Sequence, residues 1–354
     1  MLDGYIERIR AAYADNTPLA LQGGGSKSFY GNAGAGEILD TRDLAGVVDY
    51  QPKELVLTAR AGTPLADIEA LLAEQGQMLA FEPPHFGQPA TLGGCIATGL
   101  SGPRRPYAGA ARDFVLGVRI IDGTGQPLRF GGQVIKNVAG YDVSRLMVGA
   151  LGTLGLITEV SLKVLPKPAA ETTLQFELGE AAAIGKMNQW AGQPLPLSAT
   201  SWHAGLLTVR LSGAASAVKA AQARLGGETL QDAAAFWQRL RDQATPFFDK
   251  RPLHPEVHEW RLAVKPTTPP LNLGDAQWIE WGGAVRWLAT DLPAATLREA
   301  AKTAGGHATL FRGSAPADGV FTPLPTAMLT LHRALKQRFD PKGIFNRGRL
   351  YPDF

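Results

Sequence analysis

Three glycine-rich runs hold the residues of this chain best suited to chemistry. They are Gly23-Gly24-Gly25-Ser26-Lys27-Ser28, Thr91-Leu92-Gly93-Gly94-Cys95-Ile96-Ala97-Thr98-Gly99, and the segment Gly149 to Thr158 with Gly152, Gly155 and Ile157. The last follows the polar turn Lys136–Asp142 and runs into Glu159–Pro166, which alternates like a strand. Glycine has no Cβ, so its backbone N–H can approach a ligand closely. Two such runs in one domain predict a large anion gripped from two sides. The N–H groups of Gly93 and Gly94 and the hydroxyls of Thr91 and Thr98 are the expected donors. The triple glycine follows a strand signal and forms either an anion nest of successive N–H groups or an ordinary tight turn. For Thr91–Gly99 the alternative is a close helix–helix contact.

Two familiar phosphate-binding patterns fail. The Walker loop needs Gly directly before Lys-Ser, and Ser26 stands there. No G-x-G-x-x-G run lies between a strand and a helix at Rossmann spacing. Upstream of the second run, Glu82-Pro83-Pro84-His85-Phe86-Gly87 is stiffened by two prolines and suits one wall of a rigid pocket. His254 and His258 are four apart, but Pro255 between them disfavours a helical zinc pair, so no metal site is predicted. His307 follows Gly305-Gly306 on a bend and is read as a structural or a catalytic histidine. Cys95 reads as a small buried residue with no second thiol to support redox work. Arg104-Arg105 is a lone pair of cations, either solvated or anion-binding.

The elements that must position these residues alternate helix and strand over the first 168 positions. Leu2–Ala14 has helical apolar spacing, and Leu19–Gln22 is a short strand ending at the triple glycine. Val47–Tyr50 and Leu55–Ala59 read as paired strands, and Leu65–Gln75 as a helix stopped by Gly76. Phe114–Ile121 is a strand, and Asp122-Gly123-Thr124-Gly125 signals a hairpin. After Pro166-Lys167-Pro168 the order is strand, helix, hairpin, helix, as in one ferredoxin-like unit. The proline-rich stretch 245–275 reads as irregular. Gly283–Thr290 is a strand, and Pro293–Ala304 and Thr326–Phe339 are helices. No internal repeat is visible.

The 354 residues suffice for two domains with separate cores. A hydrophobic content of 45% and a charged content of 19% suit a soluble globular protein. Apolar runs fall far short of the roughly 18 residues of a membrane helix, and the N-terminus lacks a signal-peptide core. A cytoplasmic chain is expected. The net charge of +3 is small and scattered, which argues against nucleic acid. The single cysteine excludes an internal disulfide and a Cys-ligated iron–sulfur cluster within the chain.

Taken together, Gly23–Lys27, Ala90–Gly94, Gly102-Pro103-Arg104, Gly149–Thr158 and Asp340–Asn346 resemble the FAD-binding domain of the p-cresol methylhydroxylase / vanillyl-alcohol oxidase type. Glu82–His85, Ser101–Pro106, Arg112–Gly117, Lys136–Asp142, Trp281–Trp287 and Gly305–Thr309 are similar, more narrowly, to the E-subunit family of bacterial glycolate oxidases. The resemblance implies an α+β fold. Its parts would be an FAD-binding domain of two α+β subdomains over 1–168, a ferredoxin-like cap over 169–325, and a C-terminal segment, 326–354, returning to the FAD domain. It implies that Gly23, Gly24, Gly25, Ser26, Lys27, Pro83, Thr91, Gly93, Gly94, Thr98 and Gly99 hold FAD, with Gly152, Gly155 and Ile157 along the adenine-ribityl arm. Covalent relatives carry His in the triple-glycine loop, so non-covalent FAD is expected here.

The implied function is the FAD subunit of a complex that oxidises glycolate to glyoxylate. A second, catalytic flavin subunit and an iron–sulfur subunit would be its partners, with membrane contact only through them. The His-x-Gly-Asp-Gly-Asn and Glu-His-Gly motifs of the catalytic relatives are missing, and Gly99 stands where relatives often carry Asn. Two alternatives follow. One is a self-sufficient dehydrogenase of a small 2-hydroxyacid such as D-lactate, with His307 or His85 as base and Arg104 or Arg105 as carboxylate clamp. The other is a largely structural flavin-fold subunit.

Overall fold

The computed structural model describes residues 2–87, 89–132, 142–248, 256–274 and 276–352. The chain divides into two units. Unit 1 takes Met1–Leu100, Ala110–Pro166 and Pro323–Phe354; unit 2 takes Ser101–Gly109 and Lys167–Thr322. Lys136–Tyr141 of the predicted polar turn and His254 of the histidine pair lie outside the described residues.

Among its described residues, unit 1 contains nine strands. They are β1 (Leu19–Gln22), β2 (Glu37–Asp40), β3 (Val47–Gln51), β4 (Val56–Arg60), β5 (Gln77–Met78), β6 (Val115–Ile121), β7 (Pro127–Gly131), β8 (Leu156–Lys163) and β9 (Leu165–Pro166). β1 and β2 pair in parallel, and β3-β4-β8-β6-β7 form an antiparallel sheet. Central β4 and β8 are buried along nearly their whole length, whereas edge strand β3 leaves Val47 and Val48 exposed. The expected hairpin joins β6 to β7: Asp122 Oδ1 accepts from the Thr124 and Gln126 amides at 2.9 Å each, which makes the turn. Helix Leu2–Asp15 buries Ile9 and Ala12 in a core with Leu19, Leu39, Ile121, Leu156, Ile344 and Phe345.

That core draws in the C-terminal segment. Phe345 bridges Leu19 in parallel, Leu19 N–H donates to Ile344 O (2.7 Å) and Asn346 N–H to Leu19 O (2.9 Å). The preceding turn is built on Asp340, whose carboxylate accepts from the amides of Ile344 (3.0 Å) and Phe345 (2.8 Å). Lys336, at the end of helix Thr326–Phe339, is buried and donates to Asp340, Thr153 O and Phe345 O, at 2.8, 2.8 and 2.9 Å. Three acceptors and a counter-charge offset the cost of desolvating its ammonium.

The described strands of unit 2 form one eight-stranded sheet. Its strands are β10 (Ala170–Glu177), β11 (Leu197–His203), β12 (Leu206–Gly213), β13 (Glu228–Thr229), β14 (His258–Ala263), β15 (Gln277–Glu280), β16 (Val285–Thr290) and β17 (His307–Arg312). The spatial order is β13-β10-β12-β11-β15-β16-β14-β17. The first four strands follow the ferredoxin-like order fourth-first-third-second, and the last four repeat it from the other end. The halves meet where Ser201, Trp202 and His203 of β11 pair with β15. One ferredoxin-like unit is predicted and two such halves are present. Strand order depends on apolar patterning and connection length, so the second half needs no sequence repeat.

The irregular reading of 245–275 also needs correction, because β14 lies inside it. On β14, Trp260 and Leu262 join Leu288, Leu297, Ala301, Ala308 and Leu310 in the core under helix Ala294–Thr303. Helices Glu180–Ala191 and Ala215–Leu225 cover the first half over Leu174, Leu207, Val209 and Leu211.

Candidate functional site

The three glycine-rich runs converge in unit 1 on a cleft of about 250 Å³. Gly23, Gly24, Gly25, Ser26 and Lys27 line it, following directly from β1. Thr91, Gly93, Gly94 and Thr98 line it from the short helix Leu92–Thr98, whose N-cap is Thr91. Gly152 and Gly155 line it from the loop entering β8, and Ile157 from β8 itself. Pro83 and Gly99 are not among the lining residues. Pro83 is buried, and Gly99 ends the helix in the left-handed region at φ 63°. A Cβ on Gly99 would lie 3.0 Å from Gly149 N, so its absence lets the third run dock on the second. Gly149 N–H donates to Ile96 O (3.0 Å) and Leu151 N–H to Ala97 O (2.8 Å).

The glycines act chiefly through space. A Cβ on Gly24 would lie 1.4 Å from Pro89 O, one on Gly23 2.4 Å from Thr91 Oγ1, and one on Gly93 2.8 Å from Ala61 Cβ. The expectation of donors at the second run is corrected by the same packing. The Gly93 N–H is taken by Ala61 O at 2.7 Å, and the Gly94 N–H faces Thr91 Oγ1 at 3.4 Å. The Thr98 hydroxyl turns back to Gly94 O at 2.9 Å. Contacts to Ala61 and within the second run itself occupy these two amides and the Thr98 hydroxyl.

Positive charge comes instead from Lys27 and Arg349, and none of the described lining residues carries a carboxylate. Lys27 is buried and its Nζ donates to Ser26 Oγ (3.3 Å) and His85 O (3.5 Å). Arg349 Nη2 donates to Ser28 O (2.9 Å) and Tyr30 O (2.8 Å), so it also fixes the loop after the triple glycine. Burial pushes the Arg349 pKa down from its ordinary value. Asn346 ties two walls together: its Oδ1 accepts from Leu21 N–H at 2.7 Å and its Nδ2 donates to Leu151 O at 2.6 Å. Leu21, Leu151, Leu156 and Ile157 supply apolar surface. Two cations, an apolar wall and two loops held too close to admit a Cβ suit a dinucleotide with an anionic diphosphate and a planar apolar ring system. FAD is such a group.

Sequence reading passed over Arg349, which lies more than 300 residues from the loop it braces and has no local signal. Asn346 closes the Asp340–Asn346 motif, but its place in the cleft follows only from the parallel bridge of Phe345 to Leu19.

His85, Arg104 and His307 are not among the residues lining this cleft. His85 belongs to unit 1, where its Nε2 lies 3.1 Å from Glu69 Oε2. Arg104 belongs to unit 2 and is buried, donating to Glu171 Oε2 at 2.8 Å. It thus meets a carboxylate of the protein's own. Burial alone would raise the Glu171 pKa, but Arg210, Ser212 and Arg104 outweigh it and hold the carboxyl below its ordinary value. His307 opens β17 in unit 2 beside Ala263. It keeps an exposed edge, yet crowding of its ring and the charge of Arg261 both lower its pKa, favouring the neutral imidazole. Among the described residues, no group of three or more His, Cys, Asp or Glu is placed to hold a metal ion.

Comparison with known proteins agrees with the cleft. The FAD binding domain family matches residues 3–131. The chain is 48% identical over 348 residues to glycolate oxidase subunit GlcE of Escherichia coli (strain K12), covering 98% of this chain and 97% of that protein. It is 31% identical over 183 residues to glycolate oxidase subunit GlcD of Bacillus subtilis (strain 168), covering 50% of this chain and 39% of that one. Alkyldihydroxyacetonephosphate synthase superposes with a TM-score of 0.66 at 16% identity, over 97% of this chain and 75% of that one, which is a likeness of fold alone.

Proposed function

The chain belongs to the family of the glycolate oxidase subunit GlcE, and from that premise we propose that it is the FAD-carrying subunit of a multi-subunit glycolate oxidase. The observation that carries the proposal is the unit 1 cleft, built by three glycine-rich runs and lined by Lys27 and Arg349 without a carboxylate among its described residues. Bound FAD supplies the two-electron acceptor that oxidation of a CH–OH group to a carbonyl requires. Lys27 and Arg349 would offset the diphosphate charge. Leu21, Leu151, Leu156 and Ile157 would keep water from the apolar part of the cofactor. Attachment would be non-covalent, since no histidine lines the described cleft and Cys95 is not among its lining residues.

The product would be glyoxylate, with the C2 chemistry assigned to a second flavin subunit. The GlcD relative, which shares sequence with half of this chain, supports a partner of the same fold. Electrons would leave through an iron–sulfur subunit. Such clusters are held by several thiolates, and this sequence has one cysteine. The three-part organisation proposed is 1–168 for FAD, 169–325 for the cap and 326–354 for the returning segment. Among the described residues no helix is long and apolar enough to cross a membrane. Contact with the inner membrane, for a chain otherwise cytoplasmic, would therefore run through partners.

The test is glycolate-dependent dye reduction, measured for the purified chain loaded with FAD and for the assembled complex. The proposal expects the complex to reduce dye and the chain alone to retain flavin with little turnover. Turnover by the isolated chain comparable to the complex would replace it with the self-sufficient dehydrogenase.

A further inference from the structure

Helix Thr326–Phe339 is anchored at one end only. It buries Lys336 and Phe339, both in its last turn. There Phe339 meets Phe130 edge-on at 6.1 Å, and Lys336 holds the Asp340 turn. From Thr326 to Leu335 only Leu329, His332 and Leu335 are even half-buried. Among the described residues of unit 1, no helix or strand makes an extended contact with it. Its start is bare as well. Pro325 stands at the N-cap, no side chain caps the first amides, and the first turn holds no acid. A 14-residue helix gains little from its own hydrogen bonds and most from an apolar face packed against something else.

That face exists. Ala327, Met328, Leu331, Ala334 and Leu335 recur at spacings of three and four, which lays them along one stripe. Leu331 is 58% exposed and Met328 44%. Met328, Leu331 and Leu335 follow the i, i+3, i+7 seam by which one helix docks on another. The alanines beside them allow the two axes to approach closely.

The charges around the stripe select what covers it. The helix carries His332, Arg333, Lys336 and Arg338 and no Asp or Glu. Arg338 continues the stripe one turn beyond Ala334 and is exposed. Past the helix end, Lys342 and Arg347 are exposed and bonded to backbone carbonyls, Lys342 Nζ to Tyr13 O (2.6 Å) and Arg347 Nε to Gly343 O (2.9 Å). Asp340, the carboxylate of this turn, is buried and spent on Lys336 and on the amides of Ile344 and Phe345. A second copy of this helix would bring apolar side chains but no carboxylate to meet Arg338. A bilayer surface is gripped by bulky and aromatic anchors, whereas this stripe holds two alanines and no aromatic ring. An acidic helix of another protein meets both requirements.

We propose that the Met328–Leu331–Leu335 stripe docks an acidic amphipathic helix of another subunit, with apolar residues on the seam and a carboxylate opposite Arg338. That the helix belongs to a subunit of the same complex rests on the glycolate oxidase reading; the surface itself rests on the exposure and charge of Thr326–Phe339.

The test uses the full-length chain with FAD, tagged and co-expressed with the flavin and iron–sulfur subunits of the complex. Recovery of those subunits on the tag is measured, together with amide hydrogen exchange of residues 327–335. Exchange should slow at least about tenfold in the complex relative to the chain alone. Leu331→Asp should lower subunit recovery at least about tenfold, and Arg338→Glu should lower it less while reducing its dependence on salt. Flavin content and melting temperature should stay as in the unmodified chain, since both positions are exposed. Full assembly of Leu331→Asp, or unchanged exchange in an assembled complex, overturns the inference and leaves the multi-subunit reading intact. An unmodified chain that recovers neither subunit overturns that reading, and the inference with it. Self-association that Leu331→Asp abolishes would assign the stripe to a second copy. Sedimentation with phosphatidylcholine–phosphatidylglycerol vesicles that the same variant loses would assign it to a membrane. Either result overturns the acidic helix.

Discussion

Gly24→Ala is the sharpest perturbation the cleft allows. The added methyl would lie 1.4 Å from Pro89 O, whereas ordinary contact begins near 3.4 Å. The triple-glycine loop and the Pro89–Thr91 segment entering the short helix must then part by about 2 Å. Without ligand the loops can separate, so the chain should still fold. With flavin bound they must close again, and overpacking of this kind costs about 1–3 kcal/mol. That corresponds to roughly 5- to 150-fold weaker FAD binding. Neighbouring glycines set a graded series. Gly93→Ala meets Ala61 Cβ at 2.8 Å and should be intermediate; Gly94→Ala meets only Thr91 Oγ1 at 3.3 Å and should be mild. Gly4→Ala, with nothing within 4 Å, is the control. Flavin dissociation constants are measured by fluorescence quenching on the purified apoprotein, with melting temperature as the check on folding. If Gly24→Ala binds FAD as tightly as the unmodified chain, or if the order of the three is reversed, close loop packing is not what shapes the site.

Three further outcomes follow from the same contacts. Asn346→Leu leaves the half-buried Leu21 N–H and the buried Leu151 O without their side-chain partner; it should lower unfolding free energy by about 2–4 kcal/mol in urea titration and weaken flavin retention. Because the Glu171 pKa is lowered on folding, its contribution to stability is present above the ordinary carboxylate range and lost as pH falls through the lowered value. Glu171→Gln should flatten that acid limb in thermal melts from neutral pH downward, and an unchanged profile would show that the Arg104–Glu171–Arg210 cluster does not couple to folding. Burial pushes the Cys95 thiol up to about 12, so a thiol reagent near neutral pH should label the chain only after unfolding; rapid labelling of the native protein would contradict that burial.

Where local signals were strong, the fold was legible before the structure. β1 stops at Gln22 because three glycines follow, and the β6–β7 hairpin is written in Asp122-Gly123-Thr124-Gly125. The second half of the unit 2 sheet was legible only in part: β16 and helix Ala294–Thr303 were read from the sequence, whereas β14 was not. β14 is a six-residue strand in a proline-rich stretch, and its partners β16 and β17 come later in the chain. The cleft was legible as glycine, since the need for close approach leaves a mark in residue type. Of its two charges, Lys27 was legible within the triple-glycine motif and Arg349 was not. Arg349 reaches Ser28 O and Tyr30 O only because the C-terminal turn pairs with β1, a contact between the two ends of the chain. Arg104 and Arg105 are adjacent in sequence, yet one is committed to Glu171 and the other to Trp281, a division that only tertiary packing reveals.

The flavin seat itself is tested most directly by counting cofactor. The chain is purified without partners, saturated with FAD, freed of excess and denatured in acid, and released flavin is compared with protein. One FAD per chain, recovered entirely in solution, is the predicted result. A folded chain that carries no flavin, or flavin that stays with the precipitated protein, would contradict it.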